Sequence, residues 1–72
     1  MDRATLEQML VQAERHVTLG EHHIARQREI IAKLERNGHD STKAKQLLAV
    51  FLATQVSHVI GRDRLLKELK LS

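Results

Sequence analysis

The chain contains no cysteine, proline, tryptophan or tyrosine, and its 72 residues include only three glycines and one aromatic residue, Phe51. Without cysteine there can be neither a disulfide framework nor a thiolate metal site, and composition says nothing about redox compartment. Without proline there is no obligatory helix breaker. A single aromatic ring leaves no platform on which nucleic-acid bases could stack. Long apolar runs are missing too. The longest, Leu47 to Ala53, has seven residues, whereas a membrane-spanning helix needs about 20. The opening residues MDRATLEQ are polar and lack the apolar stretch of a signal peptide. The default expectation is a soluble, cytoplasmic, single domain over residues 1–72.

What is present is helix-forming material: Ala, Leu, Glu, Lys, Arg and Gln dominate. Hydrophobic residues make up 42% and charged residues 29%, a globular rather than a disordered balance. The formal charge of +3 arises from 12 Lys and Arg interleaved with 9 Asp and Glu. Interleaving at helical spacing, as in Arg26, Arg28, Glu29, Lys33, Glu35 and Arg36, marks a solvated face.

Apolar residues recur at Leu6, Leu10, Ala13, Val17, Ile24, Ile31 and Leu34, with Gly20 and Gln27 occupying the two remaining positions of the series. The steps alternate between four and three, the heptad spacing at which side chains interlock between neighbouring helices. The spacing predicts a first helix over about 3–37. Its start lies near Asp2 or Thr5, and Thr5 with Gln8 fits a capping box. Asn37-Gly38 supplies a left-handed stop, because glycine takes that conformation without steric cost. Asp40 or Ser41 then caps a second helix over about 41–70. Its seam is Ala44, Leu48, Phe51, Gln55, His58, Arg62, Leu65 and Leu69. Leu47, Val50, Leu52, Val56, Val59, Ile60 and Leu66 spread apolar surface well beyond that seam.

A turn of only three residues, 38–40, makes the helices antiparallel neighbours. The expected architecture is therefore all-α: two long antiparallel helices forming a hairpin. One hairpin cannot bury Leu47, Val50, Leu52, Val56 and Ile60 together, and small chains with such a deficit commonly oligomerise. A homodimer forming an antiparallel four-helix bundle is expected, with a tetramer as the next possibility. The assembly residues are expected to be Leu10, Val17, Ile24, Ile31, Leu48, Phe51, Leu52, Val59 and Leu66. If the Phe51 ring is buried, Phe51→Ala should cost ~3 kcal/mol or more.

The middle of the bundle is unusually polar. With residue i facing roughly residue 77 − i in an antiparallel hairpin, His58 falls near Gly20 and His16 near Gly61. Gln55 falls near His22 and His23, and Arg62 near Arg15. His16, His23, Gln55, His58 and Arg62 form the expected polar layer, with Gln27 in the same zone. Buried polar residues at seam positions set register and partner choice. Gly20 and Gly61 each cost ~1 kcal/mol relative to alanine, which points to room for a facing side chain.

Other chemistries fit less well. Di-iron bundles use Glu-x-x-His, and no glutamate stands three residues before any histidine. His16 and His23 share a face but lie ~10.5 Å apart along the axis. A metal site would have to join His16, His23 and His58 across helices, so no metal or other cofactor is assigned. His22 and His23 diverge by ~100° on a helix, and His22 is expected in solvent. HVTLG places Gly20 one turn after His16, as in phosphorelay bundles, but Leu19 stands where a lysine usually precedes the glycine. Ser57 and His58 are sequence neighbours and diverge too much for a dyad. There is no Gly-rich phosphate loop, and no catalytic residue is assigned. Basic residues gather towards both hairpin ends, so a nucleic-acid-binding accessory role is the main alternative. Interspersed Glu29, Glu35, Asp63 and Glu68 argue against it.

The run HVTLGEHHIARQREIIAKLERNGHD, followed by LL and by His58-x3-Arg62-x-Arg64-Leu65-Leu66, resembles a group of short bacterial helical-hairpin proteins of no assigned activity. The resemblance implies a bacterial hairpin and carries over no catalytic or ligand residue. The function expected is non-enzymatic: a self-associating protein–protein interaction or regulatory module, with itself and an unidentified protein as partners.

Overall fold

The structure, a computed structural model, describes residues 2–71. It consists of two α-helices, α1 (Arg3–Arg36, 34 residues) and α2 (Thr42–Leu71, 30 residues). They lie side by side in an antiparallel hairpin 54 Å long and 14 × 13 Å across. No strand occurs among the described residues.

Local chemistry sets both ends of the loop. At the start of α1 the Asp2 carboxylate accepts the Thr5 N–H at 2.7 Å, so Asp2 is the N-cap. Thr5 lies inside the first turn as the donor and does not cap the helix itself. At the other end Gly38 sits at φ 72°. The Gly38 N–H donates to the Glu35 carbonyl at 3.2 Å and the His39 N–H to Leu34 at 2.9 Å. This doubled closure satisfies carbonyls that the helix end leaves open, and it requires the left-handed residue that Asn37-Gly38 promised. Lys33 and Arg36 in the last turn oppose the negative end of the helix dipole. Across the loop, Asp40 accepts both the backbone N–H of Thr42, at 3.0 Å, and its hydroxyl, at 2.6 Å. The Ser41 carbonyl receives the first helical bond of α2, from Lys45 at 2.9 Å.

The heptad reading of α1 is matched residue for residue. Leu6, Val17, Gln27 and Ile31 are buried, and Leu10, Ala13, Gly20, Ile24 and Leu34 are half-buried. Every expected seam residue of α2, from Ala44 to Leu69, is half-buried as well. The register, however, differs from the 77 − i expectation. His16 faces His58 and His23 faces Phe51, so partner numbers follow roughly 74 − i. The cause lies in the loop. Thr42 stands level with about residue 32, about one turn below the end of α1 at Arg36, and Ser41 is buried on the way down. A symmetric turn about residues 38–39 does not allow for this descent.

The hairpin leaves much of its apolar surface in solvent. Leu6, Val17 and Ile31 are its only buried apolar residues among those described, and no large side chain is fully enclosed. α2 has no buried residue at all. Of the expected assembly residues, Leu52 and Leu66 are exposed, and Leu10, Ile24, Leu48, Phe51 and Val59 are half-buried. Because the Phe51 ring is only half-buried, truncating it within one hairpin should cost about 1.5 kcal/mol, half the full-burial figure.

Candidate functional site

Two glutamines lock the helices together, one from each. Gln27 Nε2 donates to the Ala44 carbonyl on α2 at 2.9 Å. Gln55 Nε2 donates in the opposite direction, to the Val17 carbonyl on α1, at 2.8 Å. Each bond of this kind is worth ~1 kcal/mol net, and a slip of one residue breaks both, so their main effect is on register. Gln27 is the most deeply buried polar residue described, at 6% exposure. Its seam position was legible in the sequence, but its role as a clamp was not.

Gly20 is what lets Gln55 in. A Cβ built on Gly20 would overlap the Gln55 carboxamide. The side chain accommodated at this glycine is therefore Gln55, not His58 as the expected register had it. The Gln55 Oε1 atom is buried without an N–H or O–H donor. It lies against the glycine backbone, where a weak Cα–H···O contact is the interaction open to it. Gly61 behaves differently. Nothing lies within 4 Å of where its Cβ would be, so it makes room for no facing side chain.

The α1 histidines lie beside the seam rather than in it. His16 and His23 occupy the heptad position just before Val17 and Ile24, and both are exposed. His58 is half-buried on α2, and its ring meets His16 at 5.2 Å between centroids, tilted by 48°. His23 rests on Phe51 at 5.7 Å. Together they line an open groove of about 190 Å³ floored by Gly20. His22 is exposed on the far side of α1. The expected polar layer is thus divided. Gln55 and His58 bridge the helices, and His16 and His23 form the rim of the groove. Arg62 turns to its neighbour, with Nε 3.2 Å from Asp63 Oδ1.

Among the described residues no group of three or more His, Asp or Glu is placed to hold a metal ion. No helix among the described residues is long and apolar enough to cross a membrane. Three of the basic side chains towards the hairpin ends form exposed pairs with carboxylates: Arg3 with Glu7 at 3.0 Å, Arg26 with Glu29 at 4.0 Å and Lys45 with Glu35 at 3.7 Å.

The most extensive feature is apolar. Among the described residues ten large hydrophobic side chains are exposed, seven of them on α2: Leu47, Val50, Leu52, Val56, Ile60, Leu66 and Leu71. Between Lys45 and Arg62, α2 carries no Asp, Glu, Lys or Arg. The chain matches no protein-family model, no curated protein and no solved structure.

Proposed function

We propose that this chain is a non-enzymatic, self-associating helical hairpin that acts through protein–protein contact, in a structural or regulatory role, with a second copy as its first partner. The observation that carries the reading is the uncovered face of α2. The hairpin exposes 5580 Å², whereas a compact monomer of 8.2 kDa should expose about 4,500 Å². The excess of ~1,000 Å² per chain is close to the ~800 Å² that each partner buries in a specific complex of standard size. Pairing two hairpins into a four-helix bundle would cover it.

Mass action provides the test. If only the associated state has a covered core, the melting temperature should rise with protein concentration across the micromolar range. A melting temperature independent of concentration, with a monomer at every concentration, would refute the reading. The nucleic-acid alternative is disfavoured by the carboxylates Glu29, Glu35, Asp63 and Glu68 interspersed among the basic residues and by the single aromatic ring.

A further inference from the structure

The apolar excess of α2 is ordered. Shifting its intramolecular seam by one residue gives a second heptad series, whose central part is Lys45, Ala49, Leu52, Val56, Val59 and Asp63. Val59 alone of these is half-buried; the other five are exposed. An open apolar groove of about 290 Å³ runs along it, bounded by Leu52, Val56, Val59 and the exposed Ile60. This central part begins at a cation, Lys45, and closes on an anion, Asp63, beyond which the series runs on through Leu66 to Lys70. We infer that this second seam is the interface between two copies of the chain, with α2 packed antiparallel on the α2 of the partner about a two-fold axis level with residue 54. The inference rests on the self-association proposed above and specifies its face, its direction and its axis.

Charge and shape choose the direction. Antiparallel heptad pairing about residue 54 sets Leu52 against the partner's Val56, Ala49 against the partner's Val59 and Lys45 against the partner's Asp63. Each layer then joins a small or branched side chain to a complementary one, and each end of this central part closes on opposite charges. A parallel pairing would set Lys45 against Lys45 and Asp63 against Asp63, which is repulsive at both ends. Lys45 already pairs with Glu35 at 3.7 Å, and Asp63 with Arg62 at 3.1 Å. In the antiparallel dimer these pairs join end to end, so that anion and cation alternate from Glu35 through Lys45 and the partner's Asp63 to the partner's Arg62. The opposite flank of α2, Lys43, Leu47, Val50, Thr54, Ser57, Gly61, Arg64 and Glu68, could also close Lys43 on the partner's Glu68, but an antiparallel pairing there sets Leu47 against the partner's Arg64 and leaves Thr54 and Ser57 at its centre.

The absence of cysteine makes the test direct. Ser57→Cys and Arg64→Cys introduce unique spin-label sites at exposed positions one heptad apart, outside the second seam and facing the same way. In the inferred dimer, copies of residue 57 are offset by about 9 Å along the axis and copies of residue 64 by about 30 Å, at ~1.5 Å per residue. The interlabel distance should therefore be longer at 64 than at 57 by at least ~10 Å. Equal distances would mean a parallel pairing and overturn the inference, as would a shorter distance at 64. A dimer with either of those results leaves self-association standing, whereas a monomer without dipolar coupling removes both proposals. Val56→Asp and Val50→Asp are a matched pair, since each valine is 58% exposed and neither supports the hairpin itself. Val56→Asp should weaken dimerisation more than about tenfold, because it buries an unpaired charge. Val50→Asp should leave it within about twofold. Equal effects of the two substitutions would also overturn the assignment of the face.

Discussion

At the scale of single residues, the hairpin is aligned by two carboxamides and one missing methyl group. Glycine within a helix is ordinarily a defect worth ~1 kcal/mol. At Gly20 that cost is offset by the Gln55 bond to the Val17 carbonyl, which an added Cβ would displace. Gly20→Ala should therefore give no net stabilisation in the native sequence. In a Gln55→Ala background, where the obstruction is gone, the same change should stabilise by ~1 kcal/mol, leaving a coupling of that size in a double-mutant cycle. Chemical denaturation of the four proteins measures it, and strict additivity would refute the clamp. The sequence made Gly20 and Gln55 visible as interruptions in an apolar seam. It did not pair them, because which residues face each other depends on how far the loop descends before α2 begins, and heptad spacing alone does not encode that descent. The adjacent histidines His22 and His23 looked like a site for the opposite reason. They are neighbours in sequence, but the helix turns one to solvent and the other to the rim of a groove.

At the scale of elements, almost everything was legible. Alternating steps of three and four marked both seams, Asn37-Gly38 marked the end of α1, and the helix starts were narrowed to Asp2 or Thr5 and to Asp40 or Ser41, of which Asp2 and Asp40 accept the capping N–H groups. Thr5 as a cap, Gly61 as a space-maker and the register between the helices need revision. Gly61 has open space around it, so Gly61→Ala should stabilise the hairpin by about 0.5–1 kcal/mol. Thermal melting would show the change, and a loss of stability would mean that something approaches this glycine closely after all. The caps also predict a pH dependence. Hydrogen bonds from the Thr5 amide hold the Asp2 carboxyl below the ordinary carboxylate range, and those from the Thr42 hydroxyl and amide do the same for Asp40. A depressed carboxyl contributes stability that is fully present above its unfolded value and is lost as pH falls through the folded one. Melting temperature should therefore drop as the solution is taken from neutral into the acid range below the usual carboxylate region. An Asp2→Asn, Asp40→Asn double variant should lose less over the same interval. Parallel losses in the two proteins would show that the caps do not carry the effect.

At the scale of the whole molecule, the decisive quantity is the surface that the hairpin fails to cover. An all-α fold with one satisfied seam per helix accounts for Leu6, Val17 and Ile31, and leaves the apolar stretch of α2 in water. The sequence already showed that α2 is apolar on more than one side. The structure adds which residues α1 covers, and hence which second series is left free. The excess area, the uncharged stretch between Lys45 and Arg62 and the opposite charges at Lys45 and Asp63 are the observations on which the proposed pairing with a second copy rests. Sedimentation equilibrium of the untagged protein at micromolar concentration tests that central claim most directly. The account predicts a species of twice the 8.2 kDa chain mass. A species that stays at the mass of a single chain throughout that range would contradict it.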